Sequence, residues 1–154
     1  MSKVYSFTKV QKLPVDMEQA WNYFSDPGNL QALTPGDLDF KILSKNHVMY
    51  PGQILQYIVR PLLSVPVYWM TEITHVSEKK YFVDEQRYGP YSFWHHQHHF
   101  KEISEGVEMT DIVHYKLPLW FIGDIINTVL VRKKLKEIFD YRYKVVEGKF
   151  NLTP

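Results

Sequence analysis

The sequence predicts an α+β domain in which a curved, seven-stranded antiparallel sheet wraps a long carboxy-terminal helix, with two short helices after the first strand. Three observations carry that prediction. Between residue 37 and Pro118 the chain is a succession of alternating apolar and polar segments separated by tight turns. Beyond Pro118 the apolar spacing lengthens to that of a helix and persists from Ile122 to Val146. Ahead of both lies a single strand followed by a short amphipathic helix.

The elements follow in order. Val4 to Leu13 alternates loosely and is stopped by Pro14. Asp16 is placed to cap a helix, with Gln19 three residues on as in a capping box. Met17, Ala20, Trp21 and Phe24 then form one helical face. Asp26-Pro27-Gly28 ends it, leaving Asn29 to Leu33 for one or two further turns before Thr34-Pro35-Gly36. Strands are expected near 37–45, 52–60, 66–77, 80–88, 91–103 and 106–117. Ser77-Glu78-Lys79, Gly89-Pro90 and Ser104-Glu105-Gly106 make hairpin connections between the later ones. The closing stripe includes Leu130, Leu135, Ile138, Phe139 and Arg142, with Lys133, Lys134, Lys136 and Glu137 largely off it. A helix of about 24 residues would be about 36 Å long, enough to cross a sheet. Such a sheet must bury one face, and this helix is the only element large enough to cover it. No linker or repeat divides the chain, so residues 1–154 are expected to form one domain.

Composition narrows the function. A hydrophobic fraction of 45% with 23% charged residues is that of a folded globular chain. The net charge of +1 lacks the basic excess of a nucleic-acid binder. With no cysteine, disulfides, thiolate nucleophiles and cysteine-based metal sites are excluded. The amino-terminal MSKVYSFTKVQKLP has no signal-peptide core and no apolar run is long enough to span a membrane, so a cytoplasmic location is expected. Aromatic residues reach 16%, suited equally to lining a cavity and to filling a core.

Alternation assigns the inward face as the more apolar one of each strand. It carries Trp69, Thr71 and Ile73 on one strand, then Phe82, Asp84 and Gln86. Trp94, His96, His98 and Phe100 follow, then Met109, Asp111, Val113, Tyr115 and Leu117. Buried carboxylates and imidazoles are costly unless paired, and an Asp–His network across the sheet would satisfy them.

The run Phe82-Val83-Asp84-Glu85-Gln86, then Gly89-Pro90-Tyr91, Trp94, His96, His98 and Phe100, then Met109-Thr110-Asp111, Val113, Tyr115 and Leu117-Pro118 resembles the SRPBCC (START/polyketide cyclase-like) superfamily. It is similar to an uncharacterised ligand-binding branch related to carbon monoxide dehydrogenase G-like proteins. Asp26-Pro27, Leu33-Thr34-Pro35 and Ile138-Phe139 extend the resemblance through most of the chain. It implies a helix-grip fold: a seven-stranded sheet gripping the terminal helix around a deep apolar pocket. It implies no reaction, because the superfamily holds carriers, receptors and enzymes alike. No catalytic residue is carried over from it.

The leading expectation is therefore a carrier or sensor that binds a hydrophobic or amphipathic small molecule without a cofactor, in a pocket of roughly a few hundred Å³. Trp69, Phe82, Trp94, Phe100, Met109, Val113 and Tyr115 would supply apolar contact. Thr71, Asp84, Gln86, His96, His98 and Asp111 would orient a polar end, with Trp120 and Phe121 at the rim and Pro61 to Pro66 as a flap. The alternative is a cofactor-free cyclase, dehydratase or isomerase using Asp84, His96, His98 and Asp111 for proton transfer. A second alternative is an accessory interaction protein with a filled core; any protein partner is left open. His96 and His98 share a face and suit a metal, but no spacing supplies the remaining ligands, so none is expected. Glu85, Arg87 and Arg142 read as surface ion pairs, and Val131 to Lys136 as the solvated face of a covering helix.

Overall fold

The computed structural model describes residues 3–45, 48–60, 65–118 and 130–150. Strand β1 (Tyr5–Leu13) leads into helix α1 (Met17–Phe24) and two single 3-10 turns, Pro27–Leu30 and Gly36–Leu38. Strands β2 (Lys41–Ile42), β3 (Gln53–Val59), β4 (Val67–Ser77), β5 (Tyr81–Tyr88), β6 (Phe93–Ile103) and β7 (Gly106–Lys116) follow, and helix α2 (Arg132–Phe150) closes the chain. The strands form one antiparallel sheet in the order β1-β7-β6-β5-β4-β3-β2. Among the described residues no helix is long and apolar enough to cross a membrane.

Local chemistry accounts for the boundaries. The Asp16 carboxylate accepts the Gln19 backbone N–H at 2.8 Å, satisfying one of the donors that a helix leaves unpaired at its start. Asp26 does the same for Gly28 at 2.8 Å. The strand expected over 37–45 shrinks to Lys41–Ile42. The Pro35-Gly36 turn coils residues 36–38, and Asp39 takes a left-handed conformation (φ 42°) that no strand accommodates. Helix α2 runs to Phe150, beyond the expected end at Val146, while its expected start at Ile122 lies outside the described residues.

Strand β7 alternates without a break, burying Val107, Met109, Asp111, Val113 and Tyr115. Between β4 and β5 the register slips twice, at Met70/Thr71 and Ile73/His75. Such bulges bend and twist a sheet, and they break the strict alternation there. On β5, Phe82 and Asp84 face the cavity, and Val83, between them in sequence, is buried as well.

The β6–β7 hairpin turns at Gly106, whose φ of +133° favours glycine, and an added Cβ would lie 2.1 Å from the Leu13 carbonyl oxygen. G106A is therefore expected to lower the urea-unfolding free energy by at least about 2 kcal/mol. A loss below about 0.5 kcal/mol would show that the hairpin tolerates the methyl group.

The apolar interior falls into two clusters. One joins Trp21 and Phe24 of α1 to Phe82, Phe100, Val107 and Met109. The other joins Val113, Tyr115 and Leu117 to Val131, Leu135 and Phe139. Helix α2 is tied down along the β1 edge: Lys9 Nζ bonds Asp140 at 2.7 Å and Gln11 Nε2 bonds the Tyr143 carbonyl at 3.0 Å. Its backbone approaches β1 more closely than any other strand. Resting on that side of the sheet, it stands away from β3, β4 and β5.

Candidate ligand cavity

Four polar residues separate the two clusters. On β6, His96 and His98 lie between Phe100 and Trp94; on β7, Asp111 lies between Met109 and Val113. Asp84 joins them from β5, directly opposite His96, while His98 faces Asp111. The hydrogen bonds run diagonally: His96 Nε2 to Asp111 Oδ1 and His98 Nε2 to Asp84 Oδ2, both 2.9 Å. The directly opposed contacts close the square, His96 Nδ1 to Asp84 Oδ2 at 3.3 Å and His98 Nδ1 to Asp111 Oδ1 at 3.0 Å. The latter is misaligned for a hydrogen bond. The two rings overlap, with centroids 3.8 Å apart, and His98 stacks on Phe82 at 4.0 Å.

Burial opposes charge on His96, Asp84 and Asp111, yet the mutual attraction prevails. Burial works against a charged His96, which is 5% exposed, but the Asp84 and Asp111 carboxylates raise its pKa to about 9. Burial likewise pushes both carboxyl groups up, and the two imidazoles overcome it, holding Asp84 and Asp111 well below the usual carboxylate range. At neutral pH His96 is thus an imidazolium between two carboxylates. Asp84, His96 and His98 also bring one potential metal-ligand atom each to within 4.8 Å of one another. A cation there would have to displace protons that the carboxylates stabilise on His96.

Above the square, between the sheet and α2, is a cavity of about 160 Å³. Leu55, Tyr57 and Val59 of β3 line it together with Trp69, Thr71 and Ile73 of β4. Phe82 and Asp84 of β5 and Trp94, His96 and His98 of β6 continue the wall. Phe24, Leu33, Leu38 and Phe40 close one side, and Leu135, Ile138, Phe139 and Arg142 of α2 form the roof. The volume is smaller than the few hundred Å³ expected, because large rings occupy much of the space between helix and sheet.

The residues assigned from alternation divide accordingly. Trp69, Thr71, Phe82, Asp84, Trp94, His96 and His98 are on the cavity wall. Phe100 and Met109 pack in the cluster under α1, and Val113 and Tyr115 in the cluster under α2. Asp111 stands behind the wall as partner of the two histidines. Gln86 clamps the β5–β6 turn, donating to the Tyr91 carbonyl at 2.7 Å and accepting from the Tyr91 N–H at 3.2 Å. Trp120 and Phe121 lie outside the described residues, as do residues 61–64 of the expected flap.

Two wall features have no counterpart in the sequence reading. Strand β3 carries apolar residues on both faces, so alternation does not single out Leu55, Tyr57 and Val59. Tyr57 shares a hydrogen bond with Thr71 at 2.7 Å, and burial together with the Asp84 charge pushes its hydroxyl pKa far up, keeping it neutral. Arg142 corrects an expectation. It forms no surface ion pair with any described residue but lines the cavity, its guanidinium 5.0 Å above the Phe139 ring. Its place on the buried stripe, three residues after Phe139, is the signal the sequence offers. By contrast Arg87 does pair on the outer face, with Glu72 at 2.6 Å and Glu85 at 3.4 Å.

The layout of a curved sheet gripping a terminal helix is shared with solved proteins. Ms6760 of Mycobacterium smegmatis is 15% identical, with a TM-score of 0.71 over 97% of this chain and 92% of that one. A START superfamily protein of the same organism is 14% identical, with a TM-score of 0.68 over 96% of this chain and 97% of that one. Major latex-like protein 151 of Panax ginseng is 10% identical, with a TM-score of 0.70 over the same shares. The chain therefore has the helix-grip fold of the START and major latex-like proteins. These likenesses do not distinguish the carbon monoxide dehydrogenase G-like branch. At the level of sequence it matches no family model and no curated protein.

Proposed function

We propose that this chain is a carrier or sensor that holds a hydrophobic or amphipathic small molecule between its sheet and terminal helix, without a cofactor. The observation that carries the proposal is the apolar cavity of about 160 Å³, lined by rings and aliphatic chains from four strands and the helix. An engineered apolar cavity of ~150 Å³ takes up benzene, so this one suits a guest built on a single ring or a short branched chain. Trp69, Phe82 and Trp94 supply contact area, and Thr71, Asp84, His96 and His98 border it with polar groups. Phe100, Met109, Asp111, Val113, Tyr115 and Gln86 support that wall from behind or beside it. An open cavity argues against an accessory protein with a filled core. One domain in the cytoplasm is part of the same proposal.

Native mass spectrometry of freshly purified protein tests it, together with tryptophan emission during titration with small ring compounds. A retained small molecule at one per chain, or a saturable emission change, is expected. A bare mass with flat titrations throughout would overturn the proposal.

A second reading, a cofactor-free cyclase, dehydratase or isomerase, rests on one observation: Asp84 and His96 are both on the cavity wall. An imidazolium there is in the protonation state of a general acid. It requires that H96Q keep ligand affinity while losing turnover of a carbonyl guest; loss of fold instead assigns His96 to structure.

A further inference from the structure

We infer that the guest is a small aromatic carboxylic acid, bound as its anion with the carboxylate at Arg142; this rests on the cavity being the ligand site. Apart from His98 Nδ1, which lies 3.0 Å from Asp111 Oδ1 without bonding it, the hydrogen-bonding capacity left open on the wall has one sign. Its acceptors are engaged: Asp84 with His96 and His98, and Thr71 with Tyr57. Its unengaged groups are donors. Arg142 Nε and Trp69 Nε1 are both buried, and neither has a hydrogen-bond partner among the described residues. Leaving a buried donor unpaired costs free energy, which a ligand acceptor would recover.

Arg142 also lacks any carboxylate partner among the described residues, although it acts electrostatically on Tyr57, which stacks on Trp69 with ring centroids 5.8 Å apart. Both donors belong to residues that line the cavity. A guanidinium prefers a planar anion that takes two parallel N–H bonds, and carboxylate has that shape. Its flat face is already committed to the Phe139 ring. The rest of the guest meets Phe24, Phe82, Trp94 and Phe139 in a space that admits about one ring.

Calorimetric titration of the unmutated protein with benzoate, phenylacetate and 3-phenylpropionate, each beside its methyl ester, tests the inference. At least one acid should bind about tenfold or more tightly than its ester. R142M should remove that preference, so that acid and ester bind within about threefold of each other. Trp69→Phe should weaken acid binding less than R142M does. Acid and ester binding alike would overturn the carboxylate assignment and leave the cavity proposal standing. Binding of neither acids nor esters to folded protein would overturn both. If R142M fails to fold, the acid–ester comparison on the native chain still decides.

Discussion

Replacing Asp111 by alanine is expected to destabilise the fold by about 3–5 kcal/mol, read as a lowered urea midpoint at neutral pH. Asp111 is 6% exposed, and its removal leaves the buried His96 and His98 with Asp84 as their one remaining carboxylate partner in the square. Breaking one member of a buried charged set costs more than the set contributes, because the partners stay desolvated. The same square makes stability depend on pH. The His96 pKa of about 9 in the fold lies above its unfolded value of 6.5, so its contribution is full below pH 6.5 and is lost as pH rises toward 9. Asp84 and Asp111 lie below their unfolded value of 3.8, so their contribution is full above that pH and is lost as pH falls through it and further. Stability should therefore be greatest between about pH 4 and 6.5, declining by about 3 kcal/mol by pH 9. D111A should flatten the alkaline decline. A native curve level from about pH 6 to 9 would contradict this electrostatic account.

Enlarging Leu55 to tryptophan is expected to abolish guest binding while sparing the fold. Leu55 is 2% exposed, belongs to neither packed cluster and borders the cavity. An added ring has the adjoining cavity to enter. Affinity for a small ring ligand should fall about a hundredfold, near 2.7 kcal/mol. The thermal midpoint should hold or rise, as cavity-filling substitutions commonly add about 1 kcal/mol. Unfolding of L55W would show that the gap is not available to a side chain. Unchanged affinity with unchanged stability would place the ligand elsewhere.

The strands of the later hairpins were legible because their chemistry is local. Each has a clean period of two and a Gly, Pro or polar turn at its end, and β7 follows its pattern from Val107 to Tyr115. That pattern put Asp84, His96, His98 and Asp111 on one face. Register, which alternation does not specify, then brought all four into one square. Residues 37–45 misled because apolar spacing there survives although Asp39 turns left-handed. Arg142 sat on the buried stripe, but a charged residue at such a place looks like surface until the space in front of it is known. Which inward residues touch a guest and which pack as core likewise depends on where α2 stands off the sheet. Lys9–Asp140 and Gln11–Tyr143 tie that helix to β1 through contacts between opposite ends of the chain, and no local pattern records them.

The space between α2 and the strands β3 to β6 admits a guest in the proposed function. The most direct measurement follows the four indole N–H resonances of labelled protein during titration with a small ring compound. Trp69 and Trp94 border that space, whereas Trp21 packs against Phe82 and Phe100. The account predicts saturable shifts at Trp69 and Trp94 with a much smaller one at Trp21. Stationary Trp69 and Trp94 resonances under a ligand that binds, or a shift confined to Trp21, would contradict it.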